Sequence, residues 1–62
     1  MQNRILVIDD DRAYLISMKR LLEGTSFGFE VETASSAIDA IDKLESHNYD
    51  CILLDVRIPG LN

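Results

Sequence analysis

The sequence predicts an α/β fold in which three parallel strands alternate with two helices, in the order βαβαβ. Continuous apolar runs lie at residues 5–8 and 51–54, and residues 29–34 alternate between polar and less polar side chains. Between these segments, apolar residues recur at three- and four-residue spacing, which is typical of one face of a helix. Strands that alternate with helices form a parallel sheet with right-handed crossover connections.

The spacing of the apolar residues changes after three aspartates, and this change marks the boundary between the first strand and the first helix. Residues 5–8 are apolar at every position, so this strand is expected to be central and buried on both faces. The helix is predicted over 12–23. Its core face is expected to consist of Leu15, Met18, Leu21 and Leu22. Asp10 or Asp11 can cap its start, because a carboxylate accepts the free backbone N–H groups there, and Gly24 is expected to end it in a left-handed conformation.

The second strand carries Glu30 and Glu32, which predict an edge position in the sheet. The second helix begins after Ser36, which together with Asp39 resembles a capping box. Its apolar face is predicted to consist of Ala37, Ile38, Ala40, Ile41 and Leu44. The third strand begins at residue 49 and ends at Asp55. Since the first and third strands are the most apolar, they are predicted to be neighbours, which gives a doubly wound sheet with the strand order 2-1-3.

Composition limits the classes of protein to consider. The 62 residues form one small domain at most, and a net charge of −5 disfavours binding to nucleic acid or to anionic membranes. No run approaches the ~20 apolar residues of a membrane span, and the N-terminus has no signal-peptide pattern. The single cysteine, Cys51, excludes an internal disulfide and suits a reducing compartment. We therefore predict a cytoplasmic protein with no nucleic-acid or membrane partner.

Acidic residues end the two strands that are predicted to be adjacent. Asp9 and Asp10 follow the first strand, and Asp55 follows the third. In a parallel sheet, ligands bind beyond the carboxyl ends of the strands where the strand order reverses, which here lies between these two strands. Clustered carboxylates suit a hard divalent cation such as Mg²⁺, and an aspartate can act as a nucleophile that forms an aspartyl phosphate. The alternative role for the acidic run is helix capping, which one residue can perform while the others bind metal.

The motifs at these two strand ends resemble those of bacterial response-regulator receiver domains. The first is residues 5–11 with its acidic pair, and the second is residues 52–60 with the turn Pro59-Gly60. The likeness extends over the whole chain, so residues 1–62 are expected to form the N-terminal half of a receiver domain with a flavodoxin-like sheet. The remaining half of such a domain would supply a Ser or Thr and a Lys that contact the phosphoryl group, together with an aromatic switch residue.

The resemblance implies that Asp55 accepts a phosphoryl group from a histidine kinase or a phosphotransfer protein. It also implies a Mg²⁺ site that uses Asp55. In that site Asp10 is a direct ligand, Asp9 acts mainly through water, and the backbone carbonyl of Arg57 is a further ligand. Such a module is not an enzyme, apart from weak autophosphatase activity. Without the second half, phosphorylation and switching are expected to be poor.

Three other functions are alternatives to this one. A hydrolase of the haloacid-dehalogenase type needs a second Asp two residues after the nucleophile, where this chain has Arg57. A nucleotide-binding fold needs glycine after the first strand, where this chain has three aspartates and an arginine. The third alternative is a unit that serves only in assembly. Whichever of these functions the chain has, its apolar third strand is predicted to pair with that of a second copy, giving a homodimer with the strand order 2-1-3-3′-1′-2′.

For several other residues we favour a structural role over a functional one. His47 is expected at a helix C-terminus, where a cation is favourable. Cys51 is expected in the buried strand and Tyr14 on the helix surface or at its rim. Glu30 and Glu32 are expected to protect the edge strand from unwanted pairing. The Arg57 side chain is as compatible with solvent exposure as with contact to a phosphoryl group.

Overall fold

The computed structural model describes residues 3–55 and has the predicted order of elements. The strands are β1 (Asn3–Ile8), β2 (Phe29–Ala34) and β3 (Cys51–Leu54), and the helices are α1 (Arg12–Glu23) and α2 (Ala37–Ser46). All strand pairs are parallel, and the sheet order is β2-β1-β3. The predicted order 2-1-3 is therefore confirmed, and the arrangement corresponds to part of a flavodoxin-like sheet.

Strand β1 lies between β2 and β3, and both of its faces are covered. Its side chains alternate between two clusters of buried residues. The cluster on the α1 side consists of Ile5, Val7, Leu15 and Val31. The cluster on the α2 side consists of Leu6, Ile8, Ala34 and Ala40. Burial of a large aliphatic side chain stabilises a fold by about 1.5–3 kcal/mol, so the apolar run of β1 determines where both helices pack.

Both helices begin at residues that the sequence marks as caps. The Asp11 carboxylate accepts hydrogen bonds from the N–H groups of Ala13 and Tyr14, at 3.0 and 3.3 Å. The Ser36 hydroxyl accepts one from the N–H of Asp39 at 3.1 Å. Of the two aspartates considered for α1, the cap is therefore Asp11. Each such cap contributes about 1 kcal/mol to stability.

The end of α1 differs from the prediction. The sequence predicts a left-handed Gly24, but its φ of −78° and ψ of −6° are right-handed. Its N–H donates to the Arg20 carbonyl at 3.0 Å, and a Cβ at this position would lie 3.0 Å from that carbonyl oxygen. The positive φ, 74°, occurs instead at Gly28, just before β2. Close approach to the last turn of the helix, rather than a left-handed backbone, favours glycine at position 24.

Several apolar helix residues predicted for the core are exposed. Leu21 is 65% exposed and Ile38 is 83% exposed, and Ile41 and Leu44 are also exposed. Leu21 and Leu22 are consecutive, so they point about 100° apart around the helix, and only Leu22 packs against the core. In α2 the small residues Ala37 and Ala40 face the sheet instead of Ile38. No helix in the described part of the chain is long and apolar enough to span a membrane.

Strand β3 is the least covered strand of the sheet. It begins at Cys51, two residues later than predicted, and all four of its residues are exposed. The two helices pack on β1 and β2, which leaves side chains such as Ile52, 45% exposed, without a covering layer within residues 3–55. The prediction that Cys51 is buried is therefore wrong for this structure, because burial of a strand depends on what packs over it.

Candidate functional site

The ladder between β1 and β3 brings the predicted aspartates together. Ile8 and Leu54, the last residues of the two strands, are partners in the parallel register. The N–H of Asp55 donates to the Ile8 carbonyl at 3.0 Å. Asp9 and Asp10 directly follow Ile8. Backbone hydrogen bonding thus fixes Asp55 beside the acidic pair, although these residues are far apart in sequence.

The three carboxylates form one compact group. One carboxylate oxygen from each of Asp9, Asp10 and Asp55 lies within 4.8 Å of the other two. Two oxygen ligands of an octahedral Mg²⁺ ion lie roughly 3–4 Å apart, given metal–oxygen distances of about 2.0–2.1 Å. The observed separation therefore fits three carboxylates around a single hard cation, either directly or through water. Arg57, the fourth predicted ligand, lies outside the described residues.

The three aspartates differ in burial. Asp9 is 7% exposed, Asp55 is half-buried and Asp10 is exposed. Asp9 is also the most constrained: its Oδ1 accepts the N–H of Asp11 at 2.9 Å, and its own N–H donates to the Ala34 carbonyl at 3.1 Å. Because a buried carboxylate is costly unless its charge is compensated, the burial of Asp9 favours a bound cation at this position.

A cavity of about 650 Å³ opens next to the aspartates. Its lining includes Asp9 and Asp55, together with Tyr14 and Met18 of α1. Its remaining wall is formed by Val7, Ile8, Asp11, Ile52, Leu53 and Leu54. The aspartates are therefore accessible to a small ligand that enters this cavity.

Two residues considered as functional candidates take the structural positions predicted for them. Tyr14 is exposed on α1 at the rim of this cavity. His47 is the C-cap of α2, and its N–H donates to the Lys43 carbonyl at 3.0 Å. It precedes β3, whereas the aspartates follow β1 and β3. His47 therefore belongs to the opposite end of the sheet.

Sequence reasoning missed a charged cluster that spans β1 and β2. Arg4 Nε donates to Glu30 at 3.2 Å, and Arg4 lies 4.0 Å from Glu32. The bond to Glu30 and its charge raise the pKa of Arg4, and burial together with the nearby Glu32 raises the pKa of Tyr49. The two glutamates thus interact with β1, whereas we expected them to protect the free edge of β2. Arg4 and Glu30 are register partners. Their opposite charges on adjacent strands could have predicted this ion pair.

Comparison with known proteins identifies the family of the motifs. The model for the response regulator receiver domain matches residues 5–62. The chain is 42% identical over 62 residues to the response regulator MprA of Mycobacterium tuberculosis (strain ATCC 25618 / H37Rv) and to that of Mycobacterium bovis (strain BCG / Pasteur 1173P2). It is 40% identical to MprA of Mycobacterium sp. (strain KMS). These alignments cover 100% of this chain but 26% of each relative, so the chain spans about a quarter of their length. No solved structure matches the chain significantly.

Proposed function

Because the chain belongs to the response regulator receiver domain family of two-component signalling systems, we propose that its Asp55 is a phosphoacceptor. The donor is a phosphohistidine on a histidine kinase or a phosphotransfer protein. The observation that carries the proposal is the convergence of three carboxylates within 4.8 Å at the strand ends. Asp55 suits the role of nucleophile better than Asp9, because Asp55 is half-buried whereas Asp9 is 7% exposed.

The proposed reaction is a transfer between two side chains. An oxygen of the Asp55 carboxylate forms a bond to phosphorus while the phosphorus–nitrogen bond of the phosphohistidine breaks. The electron pair of that bond stays on the imidazole nitrogen, which takes up a proton from water. Attack of water on the aspartyl phosphate then releases inorganic phosphate, and this slow step is the only enzymatic activity that we propose.

We further propose that Asp9, Asp10 and Asp55 bind Mg²⁺, together with the backbone carbonyl of Arg57. The exposed carboxylate of Asp10 suits a direct ligand. Asp9 suits contact mainly through water, because one of its oxygens already accepts the Asp11 N–H at 2.9 Å. When bound, Mg²⁺ would offset the negative charge of the phosphoryl group during transfer.

The phosphoacceptor role can be tested with a small donor that contains a phosphorus–nitrogen bond, such as phosphoramidate. In the presence of Mg²⁺, we expect a hydroxylamine-sensitive phosphoryl adduct by intact mass spectrometry, and we expect Asp55→Asn to remove it. Asp11→Asn is the matched control, because it removes the same charge nearby and asparagine still caps the helix. Labelling of Asp55→Asn at the rate of the unsubstituted chain would contradict the proposal.

A second candidate function is assembly without phosphotransfer. It is favoured by the exposed apolar residues of β3, with Ile52 45% and Leu54 44% exposed. Antiparallel pairing of two β3 strands would give a homodimer with the order 2-1-3-3′-1′-2′, since an apolar edge is a template for strand addition. Sedimentation equilibrium tests this dimer, and a folded monomer at micromolar concentration would contradict it.

A further inference from the structure

The outer edge of β2 is covered by charged side chains from both helices. The Val31 carbonyl accepts a hydrogen bond from Lys19 Nζ at 2.7 Å, and the Val31 N–H donates to Glu23 Oε2 at 3.4 Å. The Thr33 carbonyl accepts a hydrogen bond from Lys43 Nζ. Lys19 belongs to α1 and Lys43 to α2, so the two ammonium groups approach the strand from opposite faces of the sheet.

Each of these lysines is held in place by a carboxylate of its own helix. Lys19 Nζ lies 3.0 Å from Glu23, and Lys43 Nζ lies 3.6 Å from Asp39, both at i,i+4 spacing. Spacing of four residues places both members of a pair on one helix face. Both pairs are therefore fixed along the same strand edge.

The opposite edge of the sheet has no such cover. Within residues 3–55, no side chain makes a hydrogen bond to the backbone of β3 (Cys51–Leu54). The side chains of β3 are apolar apart from Cys51. The two edges thus differ in chemistry as well as in length.

We propose that Lys19 and Lys43 close the outer edge of β2 to strand addition by a second copy of this chain. Strand addition needs backbone N–H and C=O groups that are free to pair. An incoming strand would have to displace both ammonium groups from the carbonyls of Val31 and Thr33. It would also remove these charges from water, which is unfavourable without new partners. Within residues 3–55, the edge that is left open is then that of β3.

The proposal predicts the largest assembly that the chain forms. A sheet with one open edge stops at a dimer, whereas a sheet with two open edges adds copies at both ends. We expect the unsubstituted chain to form nothing larger than a dimer in sedimentation velocity runs over a concentration series. We expect the folded variant Lys19→Met/Lys43→Met to form larger species and to begin association at about tenfold lower concentration, because it gains several backbone hydrogen bonds.

The matched control is Arg12→Met/Arg20→Met. It removes the same charge from exposed residues that make no hydrogen bond to β2. We expect this variant to behave like the unsubstituted chain, which separates edge closure from a general effect of net charge. If folded Lys19→Met/Lys43→Met, judged by circular dichroism, has the same largest species as the unsubstituted chain, the proposal is wrong.

Amide exchange provides a measurement that needs no substitution. Exchange of the Val31 N–H in the unsubstituted chain should be independent of protein concentration, because this edge stays closed. Increasing protection of that amide with concentration would overturn the proposal. Should the double variant fail to fold, the single variants Lys19→Met and Lys43→Met each leave one lysine in place, and Val31 protection should then increase with concentration in at least one of them. Unchanged exchange in both folded single variants would also count against edge closure.

Discussion

The two ends of the sheet carry different kinds of charged cluster. At the end where β1 begins, Arg4 pairs with Glu30 at 3.2 Å, so opposite charges meet within the chain. At the end where β1 and β3 finish, Asp9, Asp10 and Asp55 converge with like charge. Among residues 3–55, no basic side chain forms a salt bridge with Asp9 or Asp10. The first cluster pairs opposite charges, whereas the second brings three like charges together.

The largest expected effect is stabilisation by Mg²⁺. If the aspartates bind the ion, the free energy of unfolding should increase by about 1.4 kcal/mol when free Mg²⁺ is tenfold above its Kd. The increase should disappear in Asp10→Asn. Urea denaturation with and without Mg²⁺, at matched ionic strength, measures both effects. An equal increase in the chain and in Asp10→Asn would show that the ion acts elsewhere.

A second effect should appear in the absence of divalent ions. Asp10→Asn removes one of three like charges that lie within 4.8 Å of one another, so it should raise the free energy of unfolding by up to about 1 kcal/mol. The control is Asp42→Asn, which removes a charge from the exposed surface of α2 and should have little effect. If Asp10→Asn instead lowered the free energy of unfolding in urea denaturation with a chelator present, the repulsion among the three carboxylates would already be offset in the folded chain.

Removing a charge from the cluster at the other end of the sheet should change the free energy of unfolding in the opposite direction. Arg4→Met leaves Glu30 and Glu32 as neighbours without their cation, and it should lower the free energy of unfolding only slightly, since both ion pairs are partly exposed to solvent. Arg20→Met, at the end of α1, is the control. If Arg4→Met instead raised stability, the contrast between the two ends of the sheet would fail.

The smallest effect concerns the edge of β2. The hydrogen bond from Lys19, followed by that from the Val31 backbone, lowers the pKa of Glu23 against the opposing effect of burial. A carboxylate whose pKa is lower in the folded state contributes stability above its unfolded pKa, and that contribution is lost as the pH falls through the folded pKa. In an NMR titration, Lys19→Met should therefore raise the pKa of Glu23, whereas Arg20→Met should not change it.

Much of the fold could be predicted because it depends on local patterns. The continuous apolar run of β1 and the glutamates of β2 were sufficient for the order β2-β1-β3. The caps at Asp11 and Ser36 depend on residues within one turn of the helix. The aspartate group followed from the rule that sites lie at the carboxyl ends of adjacent parallel strands.

What the sequence did not predict depends on details that are not local. The exposure of Leu21 and Ile38 depends on how each helix is rotated against the sheet, and small alanines in α2 change which face packs. The pair between Arg4 and Glu30 depends on strand register. The role of Arg57, phosphorylation, Mg²⁺ binding and a cytoplasmic location stay predictions.

The hydrogen bonds around Asp11 have a practical consequence. Its N–H is held by the Asp9 carboxylate at 2.9 Å, and its own carboxylate holds the N–H groups of Ala13 and Tyr14 at 3.0 and 3.3 Å. These hydrogen bonds connect the first turn of α1 to the acidic group. A ligand that reorients Asp9 should therefore change the length of the hydrogen bonds around Asp11. The amide resonances of Ala13 and Tyr14 are thus natural sensors of site occupancy, and they require no label or substitution among the aspartates themselves.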